Sequence, residues 1–391
     1  MDIKILKEDE YIESLRLSEY AFQYRVPEEK IPARLEMLKS HKLLGIRENS
    51  ALAAKLHIIP FAVYMNGEVW DMGGIAGVAT YPEYRRSGHV KSLIIEALAQ
   101  MKHDGQIVSL LAPFDFAFYR KFGWEILSDV KKVTIEKVSL KLLSPQSGYI
   151  KRNSKETHHE DIEEIYRKYG EKFSGMLVRD TKWWKEHVHD DQSQAAVFYN
   201  TSKEARGYVV FNVKDRKMEI KEMAALDQEA RVGLWNFICQ HDSMVDIVTV
   251  NLSVHDSFPY FLNQPKLKTE VMPYFMCRIV NAKKCLERFR FDSTTDPIFI
   301  HLEDPFAAWN NGSYLIGNGE VKEYKAKEGS QCLNPPKRGI RLTINELSAI
   351  LFGYKRPEEL YDLGLIKGAK QEVDQFETMI PKLKSAFYDF F

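Results

Sequence analysis

The chain has 391 residues, enough for two or three domains of ordinary size. Its 55 Lys+Arg balance 55 Asp+Glu, so no global basic field exists to hold nucleic acid or an anionic membrane. With 45% hydrophobic, 28% charged and 12% aromatic residues the composition is that of a globular protein, and dominant disorder is excluded. The start, MDIKILKEDEYIESL, has charges every few residues and no apolar core of a signal peptide. Nowhere do 18 consecutive apolar residues occur, so no membrane insertion is expected. Cys239, Cys277, Cys285 and Cys332 show no CxxC spacing and read as reduced thiols of a cytoplasmic protein.

In chain order, residues 8–24 predict a helix with Tyr11, Leu15, Ser18 and Phe22 on one face, and 28–39 a second helix entered through Pro27. Strands follow at 42–47, 51–65 and 68–80, the last two joined by Asn66-Gly67, a two-residue hairpin signal. A helix at 88–103, a strand at 106–112, a short helix at 114–121 and a strand at 124–138 complete a first part, residues 1–147. The turn cluster Ser144-Pro145-Gln146-Ser147-Gly148 marks the boundary. The second part, 148–279, reads as a polar loop and helix through Gly170, strands at 194–200, 206–213 and 217–224, a helix at 227–241 and a strand at 245–252. Its helix–strand order echoes the first part and suggests a degenerate duplication. The third part, 280–391, predicts a helix around Cys285–Phe289, strands at 297–303, 312–317, 319–326 and 339–343, a helix from Thr343 and two short closing helices. The tail ends Phe387-Tyr388-Asp389-Phe390-Phe391, unusually aromatic for a terminus.

Chemistry concentrates in residues 73–100. A small-residue strand, with Gly77, Val78, Ala79 and Thr80, lets an extended ligand approach the backbone. It leads into Arg85-Arg86-Ser87-Gly88-His89-Val90-Lys91 at a helix start. Unpaired N–H groups there, the helix dipole and three cationic side chains together make a pyrophosphate cradle. Farther on stands Phe116-Ala117-Phe118-Tyr119-Arg120-Lys121-Phe122-Gly123-Trp124.

This combination resembles the GCN5-related N-acetyltransferases (GNATs), whose acetyl-CoA motif is Arg/Gln-x-x-Gly-x-Gly/Ala; here Arg85 and Gly88 match and Val90 departs from it. Length, three-part order and the segment Met276-Cys277-Arg278-Ile279-Val280 make the whole chain similar to the Eis (enhanced intracellular survival) family. The resemblance implies an α+β fold of two GNAT-like mixed-sheet domains and a C-terminal sterol-carrier-like domain. It implies an acetyl-CoA-dependent N-acetyltransferase acting on a small cationic amine such as an aminoglycoside or polyamine, without a metal, in a homohexamer. Tyr119 becomes the general acid that protonates the leaving thiolate, and the Phe391 carboxylate a base or amine anchor. Val78, Ala79, Thr80, the 85–91 turn, Phe114 and Asp115 become the cofactor contacts. Competing readings are a lipid carrier with a relic GNAT domain and a protein lysine acetyltransferase.

Other residues read as structural. His158-His159-Glu160-Asp161 read as solvated helix-start residues. His187-x-His189-Asp190-Asp191 has strand-compatible ligand spacing but no complementary cluster. Trp183-Trp184 read as packing, with one indole available to an acceptor pocket, and Lys131, Lys132, Glu136 and Lys137 as a solvated strand face. Glu28, Glu29 and Glu36 are the candidate attractors of a cationic amine.

Overall fold

A computed structural model describes residues 2–144, 147–190, 192–292, 296–325 and 338–391. Pro145, Gln146, Asp191 and Cys332, each used in the sequence reading, lie outside the described residues, as does residue 326 at the end of one predicted strand.

The first part holds strands β1 (Ile3–Ile5), β2 (Lys42–Glu48), β3 (Ala51–Met65), β4 (Glu68–Thr80), β5 (Val108–Leu111) and β6 (Glu125–Glu136). Its helices are α1 (Tyr11–Phe22), α2 (Ile31–Leu38), α3 (His89–His103) and α4 (Phe116–Arg120). The second part holds β7 (Gly148–Asn153), β8 (Gln194–Asn200), β9 (Ala205–Lys214), β10 (Lys217–Ala225), β11 (Ile247–Ser253) and β12 (Lys268–Ile279), with α5 (Glu160–Gly170), α6 (Thr181–Trp183) and α7 (Gln228–Cys239). A π-helical turn, Trp184–Val188, continues α6. The third part holds β13 (Ile298–Glu303), β14 (Gly312–Gly317), β15 (Glu320–Tyr324) and β16 (Ile340–Thr343), with α8 (Ala282–Arg288), α9 (Ile344–Leu351), α10 (Pro357–Asp362) and α11 (Lys370–Met379).

Strands of the first two parts form one 12-stranded sheet in the order β1-β2-β3-β4-β5-β12-β6-β11-β10-β9-β8-β7. Each part lends the other a strand. β12 pairs antiparallel with both β5 and β6, and β6 pairs antiparallel with β11. The duplication shows in the pairings: β4 and β5 are parallel across α3, and β10 and β11 are parallel across α7. Such parallel neighbours need a crossover, which the helix supplies. Asn66-Gly67 and Asn318-Gly319 close their hairpins with both residues at positive φ, 50° and 76° in the first and 52° and 73° in the second. β1, β7 and β12 are the strands that the residue pattern hides, β1 being three residues at one edge of the sheet. β7 is largely exposed at the sheet edge, and β12 carries Pro273 in a run whose first half is exposed.

The third part is a 4-stranded sheet, β15-β14-β13-β16, backed by α9 and α11. Its apolar interior, with Ile300, Leu347 and Phe376, is continuous with Met72, Leu110 and Phe275 of the large sheet. Arg278 on β12 is fully buried, and its Nη2 donates to both carboxylate oxygens of Asp304 at 2.8 and 2.6 Å, while Asn310 and the Ala307 N–H also donate to Asp304. Every charge in that joint has a partner, which a buried ion pair requires.

Candidate active site

β4 outruns β5. The two pair only from Met72 to Ile75 against Val108 to Leu111, after which β4 continues to Thr80 alongside β3 alone. Residues 76–80 therefore present a free backbone edge inside the molecule, a template for an extended amide-bearing ligand arm. Val78 and Thr80 are half-buried and Ala79 is buried, and the Thr80 hydroxyl is a buried group with no protein partner. Between Lys55 and His57 the pairing shifts, so that Gly77 and Val78 both stand opposite Leu56: the bulge is on β4, with Gly77 at φ 56°.

Beyond Thr80 the chain makes a 3-10 turn, Pro82–Tyr84, and reaches Gly88, the N-cap of α3, at φ 83°. The N-cap glycine offers α3 no side-chain cap, the helix start carries the positive end of the dipole, and nothing lies within 4 Å of where a Gly88 Cβ would stand. Arg85, Arg86, Ser87 and Gly88 are exposed and Val90 is half-buried. Lys91 is exposed, its Nζ 5.7 Å from the Phe306 ring centroid. His89 differs: its side chain is buried, with Nε2 3.6 Å from Glu48, so it faces the fold and offers a cradle its backbone only. An open strand edge that can pair with amides and a helix start that can hold anions together suit an extended ligand with an amide arm and phosphates.

Tyr119 projects from α4, which Asp115 caps by accepting the Phe118 N–H at 2.8 Å. That capping occupies one oxygen of an otherwise exposed carboxylate. Tyr119 is 3% exposed among Phe114, Phe118 and Trp124, and burial pushes its hydroxyl well above the usual phenol range, keeping it protonated at neutral pH. Phe114 is 73% exposed and packs 5.4 Å from Tyr119.

The C-terminal tail crosses the molecule to reach the same place. Ser174 and Ser385 bridge, the Ser253 N–H donates to the Tyr388 hydroxyl at 2.8 Å, and the Tyr274 hydroxyl donates to the Asp389 carbonyl at 2.9 Å. The Asp389 carboxylate is buried and accepts from Arg179 Nε at 2.8 Å and Trp183 Nε1 at 2.7 Å. Arg179 is held in turn by Glu222 and lies against both Tyr166 and Trp184, its guanidinium 3.9 and 4.6 Å from their ring centroids. The Phe391 ring then lies on Phe61 and Phe275, at centroid distances of 4.9 and 5.2 Å.

One cleft of about 920 Å³ is lined by Tyr119, Phe114, Gly77, Val78 and Phe391 together. Ala79, Thr80, Asp115 and the 85–91 turn lie outside its wall. The cleft also holds residues that the sequence reading missed: Lys55, His57, His41 and Ser18. Lys55 and His57 stand in the strand run Ala-Lys-Leu-His-Ile-Ile. Two ionisable residues spaced i and i+2 in an apolar run were the available signal.

Four expectations are corrected. Glu28, Glu29 and Glu36 are exposed and none lines the cleft; Glu36 pairs with Lys39 at 2.8 Å. His158 is not solvated: its side chain is 2% exposed and bonds Glu163 at 2.9 Å and His189 at 3.3 Å, whereas His159 does cap α5. Lys131 is half-buried rather than on a solvated face, because β6 lies inside the long sheet and the lysine head donates to the Asp256 carbonyl at 2.6 Å. His187 and His189 lie on a helical turn and its end, not a strand. They diverge, His187 stacking on Trp183 at 3.8 Å. Of the tryptophan pair, Trp184 is core and Trp183 lines the cleft. Among the described residues no group of His, Cys, Asp or Glu is arranged to hold a metal.

Residues 2–127 match an acetyltransferase (GNAT) domain, residues 175–279 a second acetyltransferase (GNAT) domain, and residues 282–388 a sterol carrier protein domain. The chain is a GNAT-fold N-acetyltransferase. This acetyltransferase is 22% identical over 397 residues to an uncharacterised N-acetyltransferase of Streptomyces avermitilis, spanning 94% of this chain and 92% of the relative. A solved probable N-acyltransferase from Enterococcus faecalis V583 superposes with a TM-score of 0.91 at 25% identity, covering 100% of this chain and 99% of the other. Eis1 from Mycobacterium abscessus shares the fold, with a TM-score of 0.84 at 17% identity and 100% of both chains covered. The three-part α+β architecture expected from the resemblance is the one observed, and acetyltransferases of this fold use acetyl-CoA.

Proposed function

We propose that the protein transfers the acetyl group of acetyl-CoA to an amine of a small-molecule acceptor, as an Eis-like enzyme. The observation that carries this reading is the single cleft in which Tyr119, the free edge of β4 and the end of the tail meet. Its volume, about 920 Å³, suits a small molecule rather than a protein surface.

On this reading the backbone of Val78, Ala79 and Thr80 pairs with the amide arm of acetyl-CoA. The N-terminus of α3 with Arg85, Arg86, Ser87, Gly88, His89, Val90 and Lys91 takes the phosphates, and Phe114 and Asp115 flank the arm. The Val78 N–H, at the bulge, polarises the thioester carbonyl. The acceptor nitrogen bonds to the carbonyl carbon, the carbon–sulfur bond breaks, and Tyr119 gives its proton to the departing sulfur. The Phe391 carboxylate anchors the acceptor ammonium at the cleft wall. The cleft's own carboxylates, Asp180 and Glu186, add to that attraction for a cation.

The test is release of free thiol from acetyl-CoA in the presence of a panel of aminoglycosides, polyamines and peptides, with acetylated products identified by mass. Amine-dependent thiol release with a small acceptor is expected. Turnover confined to lysine-containing proteins, or no turnover alongside tight binding of an apolar ligand, contradicts the reading.

A further inference from the structure

The roles above leave unused a buried basic pair in the same cleft. Lys55 is wholly buried on β3. Its Nζ lies 2.6 Å from Ser18 Oγ of α1 and 2.7 Å from His57 Nε2. Among the described residues the charged group that acts on it is Arg34, another cation rather than a carboxylate. Glu19, next to Ser18 on α1, is engaged by Arg16 at 2.8 Å and by the Val26 N–H at 2.8 Å. The His57 ring lies directly under the bulge of β4, its atoms 3.3 Å from where a Gly77 Cβ would stand. Lys55, His57, Ser18, Gly77 and Tyr119 all line one cavity. An ammonium buried without a counter-charge is costly, and Met or Leu would fill the space without that cost. Such a group on the floor of a reaction cleft has the setting of a working base.

We propose that Lys55, held by Ser18 and His57, is the general base that takes the proton from the acceptor's ammonium. The proposal rests on the reading above that the acceptor is an amine. With its own hydrogen on Nδ1, His57 accepts one Lys55 N–H at Nε2, and Ser18 Oγ accepts the other. The lone pair of the neutral lysine is then left for the acceptor. The acceptor ammonium gives one proton to Lys55, and the freed amine forms the carbon–nitrogen bond as the carbon–sulfur bond breaks. The electron pair of that bond goes to sulfur, which takes the Tyr119 proton. The second nitrogen proton restores Tyr119 through water, and Lys55 passes its proton to solvent, so one proton is released per turnover.

The surroundings set the pH at which this base is free. Burial, with Arg34 of α2 adding to it, brings Lys55 down to about 7. His57 is held well below its ordinary value by burial and by Lys55, His41 and Arg34. His41, in the turn after α2, is lowered to about 4 by burial, Arg34, Lys55 and His187. Both imidazoles are thus neutral near pH 7, and Lys55 is the group of the cluster that titrates there. Lowered pKa frees the base as pH rises, so the rate climbs through about pH 7.

The experiment is the pH–rate profile of wild type, Lys55→Met and Lys55→Arg, at saturating acetyl-CoA with an amine active in the thiol-release panel. Wild type is expected to show a limb near pH 7, and both variants to lose it and fall by about 10²–10⁴-fold while acetyl-CoA affinity by calorimetry is kept. His57→Leu displaces the limb, whereas His57→Gln, which keeps an acceptor for Lys55, retains it. A wild-type profile flat through this range overturns the proposal without any variant, as does a Lys55→Met enzyme with the wild-type rate and profile. Wild-type inactivity toward every amine sinks the acetyl-transfer reading instead, so the two failures are told apart.

Discussion

Gly77 and His57 occupy each other's space at the bulge: the ring atoms stand 3.3 Å from an added Cβ, and φ there is 56°. Lys55, two residues before His57 on β3, is fully buried. In the unfolded chain a lysine keeps its proton up to about pH 10.4, whereas in the fold Lys55 releases it near about 7. Between those values the unfolded state binds the proton and the native state does not, so stability rises with pH by about 1.4 kcal/mol per unit. Lys55→Met deletes that dependence. Its stability advantage over wild type is expected to be largest at pH 7 and below and to close toward pH 10. Urea unfolding across that range checks it, and a difference that does not vary with pH contradicts the buried, depressed lysine. Tyr119 and Gly88 were legible from sequence because their motif fixes spacing along a strand–turn–helix. Lys55 and His57 were not, since a strand run does not say which cleft its inner face meets.

At the scale of elements, the site is made by a length mismatch and by a tail. β5 stops at Leu111 while β4 runs on to Thr80, which opens the edge beside Tyr119. That mismatch was half visible, in a long small-residue strand followed by a shorter one. The tail's aromatic character was visible too, but not its anchor. Arg179, Glu222 and Asp389 are far apart in sequence and meet only through folding. This anchor sets where Phe391 stands, so displacing the terminal charge tests its use. Appending a few Gly and Ser residues after Phe391 leaves the Asp389–Arg179 pair and the aromatic contacts in place. Turnover is expected to fall by at least tenfold, with acetyl-CoA affinity by calorimetry unchanged. An extended protein that acetylates amines at the unmodified rate removes the carboxylate from the mechanism.

Across the whole molecule, the three parts read from sequence are joined more tightly than a chain-order reading suggests. β6 and β12 exchange places between the first two, and Arg278 and Asp304 lock the third onto β12. Helix and strand periodicity reports local structure, whereas strand exchange is long-range pairing with no local signature. The consequence is a cleft shared by all three parts, with β4 from the first, Trp183 from the second and the tail from the third all lining it. On the proposed reading acetyl transfer takes place there with Tyr119 as the acid. The most direct measurement is the rate of Tyr119→Phe against wild type at saturating acetyl-CoA and amine, with acetyl-CoA affinity measured alongside. The ring and its packing stay and only the proton is lost. A fall of about 10²–10⁴-fold in rate with affinity retained is predicted. A variant that turns over at the wild-type rate across the pH range would rule Tyr119 out as the acid.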